Sequence, residues 1–326
     1  MHLYLIGGEQ QRRFVIGDDD EHRFKTAIIL RLDTDSGAAK LEVEYQSPRS
    51  VKCHPDSSNT FASSTLDHSI LYTCTPTEIV IFKVPEFRQI GYVSLPCFNV
   101  LHHVCPTSSG TLLVANTGLD MVVEVSLEGE VLREWNVLGE AIWGQGFSRA
   151  IDYRKVASTQ PHRSHPNFVF RLGDDVWVTR FWQRDAICLT APNRRIEIGL
   201  ERCHDGVLHE RSLYFTTVDG HLVVVDSETL TIKNSIDLKA ISDNQWNISG
   251  WCRGVLVVDH HLVWVGFTRI RKTMVMDNLI WIKRGFQQIQ APTRVALYDI
   301  EKRRCLREIN LEQHRINILF SIQRAN

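Results

Sequence analysis

LHHVCPTSSGTLLVANTGLDMVVEVSLEGEVLREW, residues 101–135, decides the architecture. It holds four short runs, LHHVCPT, TLLVANT, MVVEVSL and EVLREW, joined by tight turns such as SSG and EGE. Apolar and polar residues alternate within the runs, which is the period of a half-buried β-strand. Helical periodicity is almost absent. Four strands in succession make an antiparallel meander, and the stretch matters because it recurs.

A second copy reads HPNFVFRL, DVWVTRF, DAICLTA and RRIEIGL, from residue 165. A third reads CHDGVLHE, SLYFTTVDG, HLVVVDSET and TIKNSIDL, and a fourth reads GWCRGVLVV, HLVWVGFTR, TRVALYDIE and RCLREINL, with an insertion before its third strand. Upstream, TFASSTLD, SILYTCT, EIVIFKVP and RQIGYVSL complete five units. The N-terminal region supplies three strands, HLYLIGG, AIILRLDTD and KLEVEYQS, and RINILFSIQ near the C-terminus supplies a fourth. Even repetition of four-stranded units is the signature of a propeller, and a late strand joining an early sheet removes the open edge. The expectation is an all-β, single-domain, six-bladed β-propeller spanning 1–326, with residues 316–323 paired against 2–7. Seven blades would need a whole blade inside an insertion, and no insertion carries four strand signals.

Composition agrees with a globular chain that has ample core: 326 residues, 43% hydrophobic, formal net charge −1. The balanced charge gives no overall pull toward nucleic acid or anionic lipid. No apolar run reaches the roughly 18 residues that span a bilayer, and MHLYLIGGEQQRR lacks the pattern of a secretory leader. The eight cysteines contain no CxxC pair, so they read as reduced thiols in a cytoplasmic protein.

LLVANTGLDMVVEV and LYFTTVDGHLVVVD resemble the blade signatures of the six-bladed superfamily that includes NHL-repeat proteins, strictosidine-synthase-like proteins, the gluconolactonase group and virginiamycin B lyase. The whole chain is also similar to a group of bacterial propellers of unassigned function that carry HHV, RSHPNFV, HDG and GWCRG in this order. The resemblance implies the fold. That superfamily holds lactonases, lyases and pure binding modules, so it leaves activity open.

Strand alternation assigns each loop to a face. The long segments 8–25, 48–58, 137–163, 239–249 and 272–291 all fall on one face, while the opposite turns are mostly short. Long loops concentrated on one face mark a binding surface. At that end of the channel His103, His165 and His204 occupy near-equivalent starts of successive innermost strands. Three imidazoles with an open position suit a divalent transition metal, Zn, Fe, Cu or Ni. Alternatively, each bonds neighbouring backbone, and His102 can replace His103 because adjacent strand residues face opposite ways.

Arg180, Arg184, Arg253, Arg269 and Arg271 cluster beside this centre, and guanidinium forks match carboxylate or phosphate, which points to a small anionic ligand. Arg184–Asp185 or Arg253–Asp259 pairing is the plainer alternative. His221, Asp120 and Asp185 are candidate acids or bases. Cys105, Cys203 and Cys252 lie near the same rim as soft ligands, a nucleophile or small core residues. MVMDNLIWIKRGF, 274–286, has an apolar face at helical spacing that suits a lid. The expected function is a metal-assisted lyase, isomerase or hydrolase acting on a small anionic metabolite, with no nucleic-acid or membrane partner. The alternative is a noncatalytic propeller that binds a protein or ligand through its loop-rich face.

Overall fold

Alternating Val, Ile and Leu, broken every few residues by turn chemistry, folds into four-stranded antiparallel sheets in a computed structural model. It describes residues 1–10, 24–144, 146–191, 193–242, 250–269 and 291–325. The first sheet holds β1 (His2–Gln10), β2 (Phe24–Asp33) and β3 (Ala39–Tyr45), and the second β4 (Thr65–Asp67), β5 (Ile70–Cys74), β6 (Ile79–Lys83) and β7 (Arg88–Val93). The third holds β8 (Leu101–Pro106), β9 (Leu112–Asn116), β10 (Met121–Val125) and β11 (Val131–Asn136). In the fourth are β12 (Pro166–Leu172), β13 (Asp175–Arg180), β14 (Asp185–Cys188) and β15 (Arg195–Glu197). The fifth comprises β16 (Cys203–His209), β17 (Ser212–Thr217), β18 (His221–Asp226) and β19 (Ile232–Asp237), and the sixth β20 (Trp251–Val257), β21 (Leu262–Thr268), β22 (Arg294–Asp299) and β23 (Arg304–Asn310).

The last strand, β24 (Ile318–Ala325), pairs antiparallel with β1 from His2↔Ala325 to Gly8↔Ile318, so the first sheet runs β24-β1-β2-β3. The expected closure of the ring therefore forms, two residues further along the chain than the sequence suggests. Gly7 permits it: a Cβ there would lie 1.9 Å from the Ile318 carbonyl oxygen. The innermost strands β24, β4, β8, β12, β16 and β20 surround the axis, and successive ones touch from β4 round to β24. On the far side of β24, the Gln323 side chain and the Ser321 hydroxyl both donate to Ser64 O, which joins the first blade to the second.

Between blades, buried side chains from facing sheets interlock. Leu3, Leu5 and Leu319 of the first blade pack with Trp264 and Val295 of the sixth, while Val114 and Val123 of the third pack with Cys74 and Ile79 of the second. The outermost strands are the wet ones, as in β7 and β11. All eight cysteines are free thiols. Among the described residues no helix is long and apolar enough to cross a membrane.

Candidate functional site

The innermost strands depart from regular pairing at one level near the axis. Against its neighbour, β8 skips His102, β12 skips Asn167, β16 skips Gly206, β20 skips Arg253 and Gly254, and β24 skips Phe320. A β-bulge adds a residue to one strand and re-aims the side chains beside it. Here His102, Arg253 and Phe320 are the extra residues, and all three line a cavity of about 540 Å³.

The glycines of HDG and GWCRG belong to this geometry. Gly206 has φ +155 and Gly254 φ +80, and a Cβ on Gly206 would lie 2.8 Å from Phe170. Asp205, also left-handed at φ +61, fastens three blades. Its carboxylate accepts the Thr216 hydroxyl and the Gly254 N–H, the latter at 3.0 Å, while its backbone oxygen accepts the Thr179 hydroxyl at 2.6 Å. Burial pushes the Asp205 carboxyl up to about 6.

The bulge in β8 separates the two adjacent histidines. His103 turns into the blade interface, 1% exposed, stacked on Phe168 with centroids 3.6 Å apart. Its Nδ1 accepts the Val169 N–H (3.3 Å), so its proton sits on Nε2 and goes to Thr65 Oγ1 (3.1 Å), whose own proton goes to Val104 O (2.9 Å). Both nitrogens are occupied, and the structure does not place His103 with His165 and His204. His102 takes that place: its ring lies 4.7 Å from that of His165, and both line the cavity with His162 and His204.

His165 stands at φ +59, held there because the Asp120 carboxylate accepts three consecutive backbone N–H groups, from Arg163 (2.7 Å), Ser164 (3.0 Å) and His165 (2.7 Å). His165 Nδ1 lies 3.0 Å from His162 Nδ1, and His162 Nε2 lies 3.1 Å from Thr159 Oγ1. His204, 6% exposed, has a buried Nε2 with no hydrogen-bond partner. Loss of water around the rings keeps all four neutral: His102 is pushed down to about 4, His162 is lowered, and His165 and His204 fall well below the usual imidazole value. Arg253 adds to the effect on His102, His165 and His204.

Charged side chains on the cavity wall are all cationic: Lys52, Arg154, Arg202 and Arg253, with no aspartate or glutamate among the described lining. The Arg253 guanidinium lies 3.6 Å over the Phe320 ring and donates from Nε to Leu319 O (3.0 Å). Arg202, 5% exposed, sits among Phe181, Trp182 and Trp251 at 5.2–5.6 Å and reaches Glu201 at 3.3 Å. Arg154 is held by both oxygens of Asp152. Two of the long insertions wall the cavity, 48–58 through Val51 to Ser58 and 137–163 through Arg154 to His162.

Several sequence candidates sit elsewhere. Arg180 grips Asp185 through Nε and a terminal nitrogen at 2.8 and 2.5 Å and gives its third donor to Val137 O; Arg195 reaches the same carboxylate at 2.7 Å. Asp185 is fully buried between these cations, so neither Arg180 nor Asp185 meets the cavity. Arg184 is exposed, 3.9 Å from Glu201; Arg269 contacts Glu312 and Gln10; His221 pairs with Asp219 at 3.1 Å inside its own turn. Asp120 is occupied by the loop it holds. Arg271 and the 274–286 segment lie outside the described residues.

Cys203 and Cys252 are core residues whose thiols burial pushes far up, and Cys105 is pushed up to about 12, which removes thiolate chemistry. Among the described residues no group of three or more His, Cys, Asp or Glu side chains is arranged to hold a metal ion. Sequence reasoning missed Arg202, His162, Phe181, Trp182 and Trp251. Trp251 lies inside GWCRG and Arg202 directly before CHDG, so proximity to the two motifs is the signal that would have found them.

Fold and site together define a six-bladed β-propeller with a cationic, histidine-walled axial cavity. No family model matches the chain, and no curated protein matches it. It is similar to a crystal structure of a protein of unknown function from Bacteroides caccae, with a TM-score of 0.60 at 12% identity over 98% of this chain and 97% of that one. A chain of the mitotic checkpoint complex aligns at a TM-score of 0.49 and 8% identity over 87% of this chain and 74% of that one. The first likeness shows the fold alone.

Proposed function

We propose that the axial cavity binds a small organic anion and that its neutral imidazoles act on the bound molecule as proton acceptors, in a reaction of the lyase, isomerase or hydrolase type. One observation carries this reading: among the described residues, the cavity wall holds four cationic side chains and no carboxylate. Arg253 is the main anchor, because its guanidinium lies on the cavity wall, held over the Phe320 ring by a residue that bulges toward the axis. Its volume suits a ligand of metabolite size. Kinship with the NHL and gluconolactonase superfamily and with the bacterial propellers is part of the proposal, resting on the blade motifs. The free cysteines support a cytoplasmic setting.

The orphaned Nε2 of His204 favours a second reading, in which His102, His165 and His204 hold a divalent transition metal that polarises a carbonyl or activates water. The neighbouring guanidiniums oppose a dication, and the three imidazoles as they stand are not arranged to hold one, so this reading stands second. Elemental analysis of protein purified without tag or chelator separates the two: one metal per chain supports the second reading, and a metal-free protein that still binds anions supports the first. Calorimetric titration against organic acids and phosphorylated metabolites tests the anion site. Arg253→Ala is expected to weaken binding at least tenfold and Arg184→Ala to leave it unchanged. Equal losses in both variants would sink the assignment. Binding without turnover would make the propeller a noncatalytic receptor.

A further inference from the structure

We infer that the ligand is a hydroxyaryl carboxylate, an acid whose anionic end meets Arg253 and Arg202 and whose ring hydroxyl is donated to the bare nitrogens of His102 and His165. This deepens the organic-anion reading and rests on it.

The argument follows the protons. Asn99 Nδ2 donates to Tyr153 O at 2.8 Å and Val156 O at 3.3 Å, so Asn99 Oδ1 is an acceptor and receives the Thr159 hydroxyl at 3.0 Å. With that proton committed, the 3.1 Å contact between Thr159 Oγ1 and His162 is donated by His162 Nε2. A neutral imidazole carries one N–H, so His162 Nδ1 accepts, and the 3.0 Å contact to His165 is donated by His165 Nδ1. His165 Nε2 is thereby left as a lone pair. His102 reaches the same state by a shorter route, since its Nδ1 lies 3.0 Å from Val100 O and donates to it. Burial keeps both rings neutral.

The cavity thus presents guanidinium donors and, with ring centroids 4.7 Å apart, two imidazole acceptors. A simple anion satisfies only the donors. A molecule that fills both carries a negative group and an O–H, and buried polar groups left without partners cost binding. The side chains around these groups are aromatic: Phe181, Trp182 and Trp251 surround Arg202, Phe320 lies under Arg253, and His204 packs 5.3 Å from Phe181. Flat π-surfaces favour a flat ring between the charged and hydroxyl ends.

The test is calorimetric titration of the full chain with matched pairs, 4-hydroxycinnamate against cinnamate and 4-hydroxybenzoate against benzoate, together with lactate. The hydroxylated acid of each pair is expected to bind about tenfold more tightly than its parent, and lactate more weakly than either. His165→Phe and His102→Phe are expected to erase that preference while retaining the parent acid. Thr159→Val is expected to reduce it, because His162 is then free to turn its proton toward His165. Should the histidine variants fail to fold, long-range 1H–15N spectra of the unaltered protein read the tautomers directly, with Nε2 of His102 and His165 unprotonated and Nδ1 protonated. Equal binding within each pair, tighter binding of lactate, or Nε2-protonated rings would overturn the inference while leaving the anion site standing. If no acid binds at all, both readings fall together.

Discussion

Arg180 and Arg253 show how far one residue type can diverge in role on one face of the ring. Arg253 is an extra residue in a bulge, and its guanidinium lies on the cavity wall over Phe320. Arg180 is paired in register with Asp185 and commits each of its three guanidinium nitrogens to that carboxylate or to Val137 O. The two substitutions are therefore expected to separate. Arg180→Ala leaves a fully buried carboxylate with only Arg195 as its cation, and should cost about 2–4 kcal/mol in denaturant unfolding with anion affinity unchanged. Arg253→Ala should show the reverse pattern. A loss of affinity in Arg180→Ala at unchanged stability would contradict the assignment. Arg195 shares the Asp185 cluster, so Arg195→Ala should likewise cost stability and leave anion affinity unchanged.

Among the elements, the bulged inner strands decide what the cavity contains. Gly254→Ala puts a Cβ at φ +80, 3.1 Å from Phe320 O, beside the N–H that Asp205 accepts. We expect it to cost about 1–2 kcal/mol of stability and also to weaken anion binding, since Arg253 precedes it. Thermal unfolding and titration of the same variant check both halves. These bulges also mark the limit of what the sequence makes legible. Alternation and turn residues are local properties, so six blades, the closing strand and the loop-rich face follow from them. Which of two adjacent histidines faces the axis depends on one unpaired residue, and alternation says nothing about an insertion of one. His103 and His102 exchange roles for this reason. Arg180 and Asp185 were misplaced for a related one: the sequence shows a buried ion pair and a ligand-binding arginine in the same way.

Across the whole molecule, neutral buried imidazoles tie stability to pH. His102 is pushed down to about 4 and His103 to about 3, with His162, His165 and His204 also lowered. Unfolded, each takes up a proton near pH 6.5, so the unfolded state binds more protons and stability falls as pH drops from about 6.5 toward the folded values. Asp205 acts oppositely, since a carboxyl raised to about 6 contributes stability that is lost as pH rises through 6, but it is one group against five. Melting temperature is therefore expected to decline between pH 6.5 and 4.5, and a flat or rising profile would count against the buried neutral cluster. Ring closure gives a second expectation at this scale. Gly7→Ala forces a Cβ to within 1.9 Å of Ile318 O and should cost roughly 3 kcal/mol or more, whereas Gly110→Ala, with nothing within 4 Å, should cost only the roughly 1 kcal/mol of its left-handed backbone.

The pairing of β24 with β1 also sets an order of events during synthesis. β24 leaves the ribosome after every other strand of the ring, so the first blade waits with an open edge while the other five are made. Until then Leu3, Leu5 and Trp264 have lost part of their cover, because Leu319 has yet to arrive between the first and sixth blades. A nascent chain of this kind is a natural client for chaperones that shield strand edges, and it should resist protease only once Ile318–Ala325 has been released.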